Sequence, residues 1–145
     1  MRSHINSLEQ NIQLKEQTID IIKTTTVDEI SKEVVMHHLN SFLDNNLDIL
    51  LSDYTNESVL ITQAATYSGP EEIGSFFVDF NTHFPKPATN LILDKIEAND
   101  DMVYIVWHAK TPSLQVPIGS DTFIIKDGKI FQQTFVGQLN FINEP

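Results

Sequence analysis

Residues 119–136 read GSDTFIIKDGKIFQQTFV. Two runs rich in Ile, Phe, Val and Thr flank Asp127-Gly128, and Asp-Gly between such runs is a strong short-range hairpin signal. The pattern continues on both sides. Strands are predicted over Leu91–Ala98, Met102–Lys110, Gly119–Lys126 and Lys129–Leu139, with Asn99-Asp100-Asp101 as a further hairpin turn. Consecutive strands joined by tight turns form an antiparallel meander.

Upstream of Pro87 the apolar period changes from two to that of a helix. Ser68-Gly69-Pro70-Glu71-Glu72 combines a cap candidate, a first-turn proline and carboxylates at the positive end of a helix dipole. Ile73, Phe76, Phe77, Phe80 and Phe84 then fall on one helical face, and Pro85 and Pro87 stop it. Ser58–Thr62 (SVLIT) is a β-branched run and is predicted as a strand, and Leu47–Tyr54 as a short helix. Ile30, Val34, Leu39, Phe42 and Leu43 predict a longer helix from Val27 to Asn46, opened by the capping-box spacing of Thr26 and Glu29. Ile5, Ile12 and Ile19 recur every seven residues, with Leu8 and Ile22 between them and Lys15 as an interruption. This predicts an amphipathic N-terminal helix whose stripe docks on the domain or on a sister subunit, the alternative being a free-standing zipper. Helices followed by a run of strands indicate an α+β domain over residues 27–145 carrying a helical extension over residues 1–26.

Composition narrows the functions. The chain has 145 residues, enough for one domain with a real core. It has no cysteine, which removes disulfides, thiolate metal sites and a cysteine nucleophile. Nine Lys and Arg against 20 Asp and Glu give a net charge of −11, which repels phosphate backbones, so no nucleic-acid partner is expected. No apolar stretch approaches the roughly 20 residues needed to cross a bilayer, so no membrane partner is expected. The N-terminus MRSHINSLEQNIQLKEQ lacks the apolar core of a secretory signal, and a cytoplasmic location is expected. No HxH or HExxH spacing occurs, so no metal site is expected.

Three segments carry a resemblance: LDNNLDILLSDYTNESVLIT (43–62), YSGPEEIGSFF (67–77) and GSDTFIIKDGKIFQQTFV (119–136). Together they resemble the nuclear transport factor 2-like superfamily, in particular its SnoaL-like branch of polyketide cyclases and ketosteroid isomerases, over about Val27 to Phe141. The resemblance implies a cone: a curved antiparallel sheet packed on three helices around an apolar cavity. It also implies a mostly apolar cyclic ligand, no cofactor, and a homodimer. In the isomerase branch an aspartate at the end of the first strand is the base, and a tyrosine and a second acid stabilise an enolate. Here the base position falls on Thr62 or Gln63 and the tyrosine position near His38, while the second acid is kept as Asp121. The limonene epoxide hydrolase branch needs an arginine between two aspartates, and VYIVWHAK (103–110) and FQQTFV (131–136) supply none of these.

The residues themselves point to the same place. Asp121 lies in an apolar strand, where a carboxylate is costly to bury unless protonated, paired or hydrogen-bonded. It is the first catalytic candidate, in the role of acid or oxyanion donor that the resemblance implies; the alternative is a strand-mouth residue bonding backbone or water. His38 is the candidate partner, and either it or His37 is a packed, satisfied histidine, since neighbours on a helix point about 100° apart. Phe42, Tyr54, Phe76, Phe80, Trp107 and Phe135 are the expected aromatic lining, with Gln63 and Gln133 as polar handles. The facing of Asp121 hangs on the Asp127-Gly128 turn. A two-residue turn pairs Ile125 with Ile130 and sets Asp121 on the face of Gln132 and Thr134; a bulged turn sets it with Gln133 and Phe135, as the resemblance requires. The expected function is a small-molecule pocket with cofactor-independent isomerase or cyclase chemistry; the competing one is a non-catalytic interaction or oligomerisation module.

Overall fold

The computed structural model describes residues 27–142. The N-terminal helical extension predicted over residues 1–26 lies outside them. Three helices precede or interrupt the strands: α1 over residues 27–43, α2 over Leu47–Leu51 and α3 over Gly69–Asn81. Seven strands follow the order β1 (Tyr54–Thr62), β2 (Thr66–Ser68), β3 (Asn90–Asn99), β4 (Met102–Lys110), β5 (Leu114–Lys126), β6 (Lys129–Gly137) and β7 (Asn140–Phe141).

Local chemistry sets the helix ends. Asn45 adopts a left-handed φ of 55°, which asparagine tolerates better than most residues, and so terminates α1. Asn46 then caps α2, its Oδ1 accepting the Ile49 N–H at 3.2 Å. Ser68 holds the N-cap position of α3 without a side-chain bond; instead Glu72 reaches back to accept the Ser68 N–H at 3.0 Å. Two expectations shift. The helix predicted over Leu47–Tyr54 stops at Leu51, and Tyr54 opens β1 four residues before the predicted strand. The inward face of α1 runs through Ser31, Val35, His38, Leu39 and Phe42, leaving Ile30 46% exposed. Ser31 satisfies its hydroxyl on the Asp100 carbonyl at 2.7 Å, which is why a polar residue is tolerated on the buried face.

The sheet order is β2-β1-β6-β5-β4-β3, antiparallel throughout except for the parallel β1–β6 pair, with β7 on β5. Register shifts mark extra residues at Asp94 in β3, around Pro117 and Ile118 in β5, and at Phe131 in β6. Bulges of this kind bend a strand and increase its twist, and here they curl the sheet into a cone against the helices. The Pro117 bulge also explains why β5 begins at Leu114, earlier than predicted: the proline sits where no ladder bond is required. The core between sheet and helices is built from Val35, Leu50, Leu60, Ile73, Phe84, Val103, Ile105 and Phe123, all fully buried.

Candidate functional site

The hairpin of β5 and β6 decides what lies inside the cone. Its turn is a two-residue one, with Asp127 at φ 52° and Gly128 at φ 73°, and Ile125 pairs with Ile130. That pairing alone would set Asp121 with Gln132 and Thr134. The extra residue Phe131 restores the other face, so Ile124 pairs with Gln132 and Asp121 with Phe135. The two predicted alternatives are thus combined: the tight turn is present and the bulge sits three residues beyond it. Asp121, Gln133 and Phe135 all point inward and are buried.

Asp121 anchors a chain of hydrogen bonds. Its Oδ1 accepts the Trp107 indole N–H at 2.9 Å, and its Oδ2 accepts from Gln133 Nε2 at 2.9 Å. The Gln133 carbonyl accepts the Tyr54 hydroxyl. His38 Nδ1 lies 3.4 Å from that hydroxyl, whose own proton is already given to Gln133. This assigns the histidine proton to Nδ1 and leaves Nε2 as a lone pair. Burial pushes the Asp121 carboxyl up to about 6, against the pull of the two N–H donors. Burial, with a smaller push from His37, holds His38 down at about 3, so it is neutral at ordinary pH. The Tyr54 hydroxyl is raised by burial and by the nearby Asp121 charge. Among the described residues no Lys or Arg pairs with Asp121.

Around this carboxylate is a small cavity of about 30 Å³. His38, Phe42, Phe76, Phe80, Trp107, Asp121, Gln133 and Phe135, all singled out from the sequence, line it together with Leu39, Leu60, Phe77 and Leu91. Aromatic rings fill most of the cone: Trp107 stacks on Phe135 with centroids 5.9 Å apart, and Phe76 on Phe80 at 5.1 Å. Outside the last pair is an open groove of about 440 Å³ between Tyr67, Ser75, Phe76, Asp79, Phe80, His83 and Phe141. Phe76 and Phe80 border both spaces.

Two candidates fall elsewhere. Tyr54 is buried behind the lining and acts through Gln133. Gln63 does not reach the cavity. It is exposed, and its amide is consumed by the Gly137 backbone, accepting the N–H at 2.9 Å and donating to the carbonyl at 2.8 Å. A short strand end needs those partners, so the side chain ties β1 to β6. Thr62, the other residue at the base position, bonds the Ala65 carbonyl at 3.2 Å in the adjoining turn.

Sequence reasoning took Trp107 as wall and missed its role as a donor to Asp121. A signal was available in Gly119. A Cβ at that position would lie 2.5 Å from Trp107 Cε2, so only glycine lets the indole lie flat over β5. The outer groove, built from α3, β2 and β7, was not foreseen; β2 and β7 are too short to stand out as strands. On the surface, His37 pairs with Asp53 at 2.7 Å and His108 with Asp94 at 2.7 Å. Among the described residues no group of three or more His, Cys, Asp or Glu is placed to hold a metal, and no helix is long and apolar enough to cross a membrane.

No family model and no curated protein sequence matches the chain. Solved structures do. An NTF2-like protein of unknown function from Mesorhizobium loti superposes with a TM-score of 0.63 at 17% identity, covering 77% of this chain and 93% of that one. An LEH-like epoxide hydrolase of M. tuberculosis gives 0.61 at 13% identity, covering 77% and 84%. A de novo designed protein with a curved β-sheet gives 0.65 at 12% identity, covering 76% and 86%. At such identities the likeness is one of fold. The α+β cone of the NTF2-like proteins is the architecture of this chain.

Proposed function

We propose that this chain, built on the NTF2-like fold, is a cytoplasmic small-molecule-binding protein. Its ligand is mostly apolar and is held at one polar end by Asp121. A single observation carries this: a carboxylate 7% exposed, bonded by Trp107 and Gln133 but paired with no cation among the described residues, at the foot of an aromatic-lined cavity. A buried charge left without a countercharge is costly to the fold, and a functional site is where such a cost is retained. Seven of the nine other candidates singled out from the sequence line the cavity with it. The arrangement favours holding over proton abstraction. By the resemblance the base position falls on Thr62 or Gln63, neither of them a base, and a histidine held near a pKa of 3 does not store a proton at neutral pH. The chemistry open to such a site without a cofactor is isomerisation or cyclisation with Asp121 as acid or oxyanion partner.

The test uses 2-naphthylmethanol as probe, a planar ring with one hydroxyl. Saturable binding to the full chain is expected by calorimetry and by the emission of Trp107, the single tryptophan. Asp121→Leu is expected to weaken it about tenfold, the loss of one hydrogen bond to a charged group. No saturable binding would end the pocket reading.

One observation favours a second reading, an assembly module. The outer face of the sheet exposes Ile61 (47%), Met102 (42%), Tyr104 (39%) and Val136 (57%). Apolar side chains collected on one sheet face mark an association surface, here of a homodimer. Sedimentation velocity on the full chain is expected to give twice the monomer mass, and a monomer at micromolar concentration rejects it. A dimer that persists after deletion of residues 1–24 assigns the contact to the sheet and not to the heptad stripe.

A further inference from the structure

The ligand of the cone is constrained by which hydrogen-bond roles remain open in it. Trp107 has one N–H, and it is given to Asp121. The Gln133 carbonyl is taken by Tyr54, and one of its two amide hydrogens by Asp121. His38 gives its Nδ1 proton toward Tyr54, so Nε2 offers only a lone pair. Each Asp121 oxygen has accepted a single bond and has a lone pair to spare. The cavity therefore offers several acceptors and at most one donor, together with a full negative charge. A carbonyl or carboxylate finds little there. A group bearing several N–H bonds and a positive charge satisfies the site completely.

The walls agree with this. Phe42, Phe76, Phe80, Trp107 and Phe135 surround the same space, and aromatic rings around a carboxylate attract an organic cation through their ring quadrupoles. Size adds a second constraint. About 30 Å³ holds one or two water-sized groups, which suits an ammonium or methylammonium head and excludes a ring. The groove of about 440 Å³ beyond Phe76 and Phe80 is large enough for a ring, and Tyr67 and Phe141 give it apolar walls. Phe76 and Phe80 line both spaces. Phe76 and Phe80 are only partly buried, so rotamer changes at these two residues join the chambers. The net charge of −11 draws cations toward the whole molecule.

We infer that the cone binds a primary amine carrying an apolar ring, with the ammonium in the small cavity against Asp121 and the ring in the outer groove beyond Phe76 and Phe80. The inference rests on the pocket reading and sharpens it to a ligand class.

The experiment compares three probes of one shape on the full chain: 2-naphthylmethylamine, 2-naphthylmethanol and 2-naphthoate. At pH 8 the amine is expected to bind at least tenfold more tightly than the alcohol, and the naphthoate more weakly than both. In Asp121→Asn the amine-to-alcohol ratio is expected to fall to about one. A second measurement needs no variant. The titratable groups facing Asp121 are His38 from α1 and Tyr54 from β1; α3, β4 and β6 present Phe76, Phe80, Trp107, Gln133 and Phe135, none of which titrates. Amine affinity of the unaltered protein is therefore expected to drop as the pH falls below about 6, where Asp121 takes up a proton, while alcohol affinity changes little. Alcohol or naphthoate binding as tightly as the amine overturns the amine inference and leaves the pocket standing. An amine preference that survives in Asp121→Asn, with no fall below pH 6, places the cation elsewhere and also overturns it. Failure of all three probes removes the pocket reading itself.

Discussion

Acidified from about pH 6.5 to about pH 4, a His38→Gln variant is expected to gain about 3 kcal/mol of stability relative to the unaltered protein, and Asp121→Asn to lose about 3 kcal/mol relative to it. The two effects have opposite signs because the buried groups are shifted in opposite senses. His38 stands at about 3 in the fold against an ordinary 6.5. The unfolded chain takes up that proton first, so the stability His38 confers is complete above 6.5 and is lost as the pH falls through this range. Each pH unit is worth about 1.4 kcal/mol, giving about 3 kcal/mol over the interval. Asp121 stands at about 6 against an ordinary 3.8. Here the folded chain takes up the proton first. Its contribution is complete below 3.8 and is lost as the pH rises through about 6, again about 3 kcal/mol. In the unaltered protein the two terms nearly cancel across the interval, and each substitution exposes the other. Glutamine keeps an N–H for Tyr54, and asparagine keeps an acceptor for Trp107, so the pH slope is the readout and the absolute level is secondary. Urea midpoints at four or five pH values, followed by Trp107 emission, check it. Three parallel stability curves would sink the paired-burial account.

Gly119→Ala is expected to lower stability by about 3 kcal/mol, a large effect for one methyl group. The added Cβ would stand 2.5 Å from Trp107 Cε2 and 2.6 Å from Cζ2, both in a ring with no flexible end to give way. The indole must tilt, and overpacking of this kind costs about 1–3 kcal/mol. Tilting also withdraws the N–H from Asp121 Oδ1, and a hydrogen bond to a buried charge is worth about 1.5–3 kcal/mol. The same variant should shift Trp107 emission and move the Asp121 titration upward, since a donor that favoured the carboxylate has gone. A midpoint and emission spectrum equal to those of the unaltered protein would show that the indole does not cover residue 119.

The class of fold was legible because its signals are local. Asp127-Gly128, the proline-opened α3 and the two asparagines closing α1 each act within a few residues, and each stands where it was expected. The meander followed from them. What escaped was non-local. Nothing near Tyr54 says that its hydroxyl is wanted by Gln133, 79 positions away, so its short segment read as helix. The inward stripe of α1 was offset because apolarity was used as the mark of burial. Ser31 and His38 are buried through partners on other elements, and Ile30 is exposed. The site was legible as a list of residues and only partly as a mechanism. Asp121, His38, Gln133 and the phenylalanines do meet, but the direction of every donor in the chain depends on contacts the sequence does not print. Gln63 was misplaced for the same reason, its amide being claimed by the backbone of Gly137.

Phe131 carries a further consequence, one about the evolution of chain length. Its ring is half-exposed beneath Lys126 Nζ, 5.1 Å from the centroid, and forms no part of the cavity, so exchanging its side chain disturbs little. Its backbone is another matter. It is the extra residue of the hairpin: Phe131 and Gln132 stand between Ile130 and Gln133, where the opposing strand has Ile124 alone between Phe123 and Ile125. Removing it would leave the same pairs, Ile125 with Ile130, Ile124 with Gln132 and Asp121 with Phe135, as an unbroken ladder, so Gln133 and Phe135 would still face inward while the local bend of the strand would be lost. The lineage of such a protein can therefore change the letter written at position 131, or lose it, without turning the site inside out; what that letter adds is curvature. The facing of the binding residues is held by the pairs beyond the bulge, and the shape of the cone around them by the bulge itself.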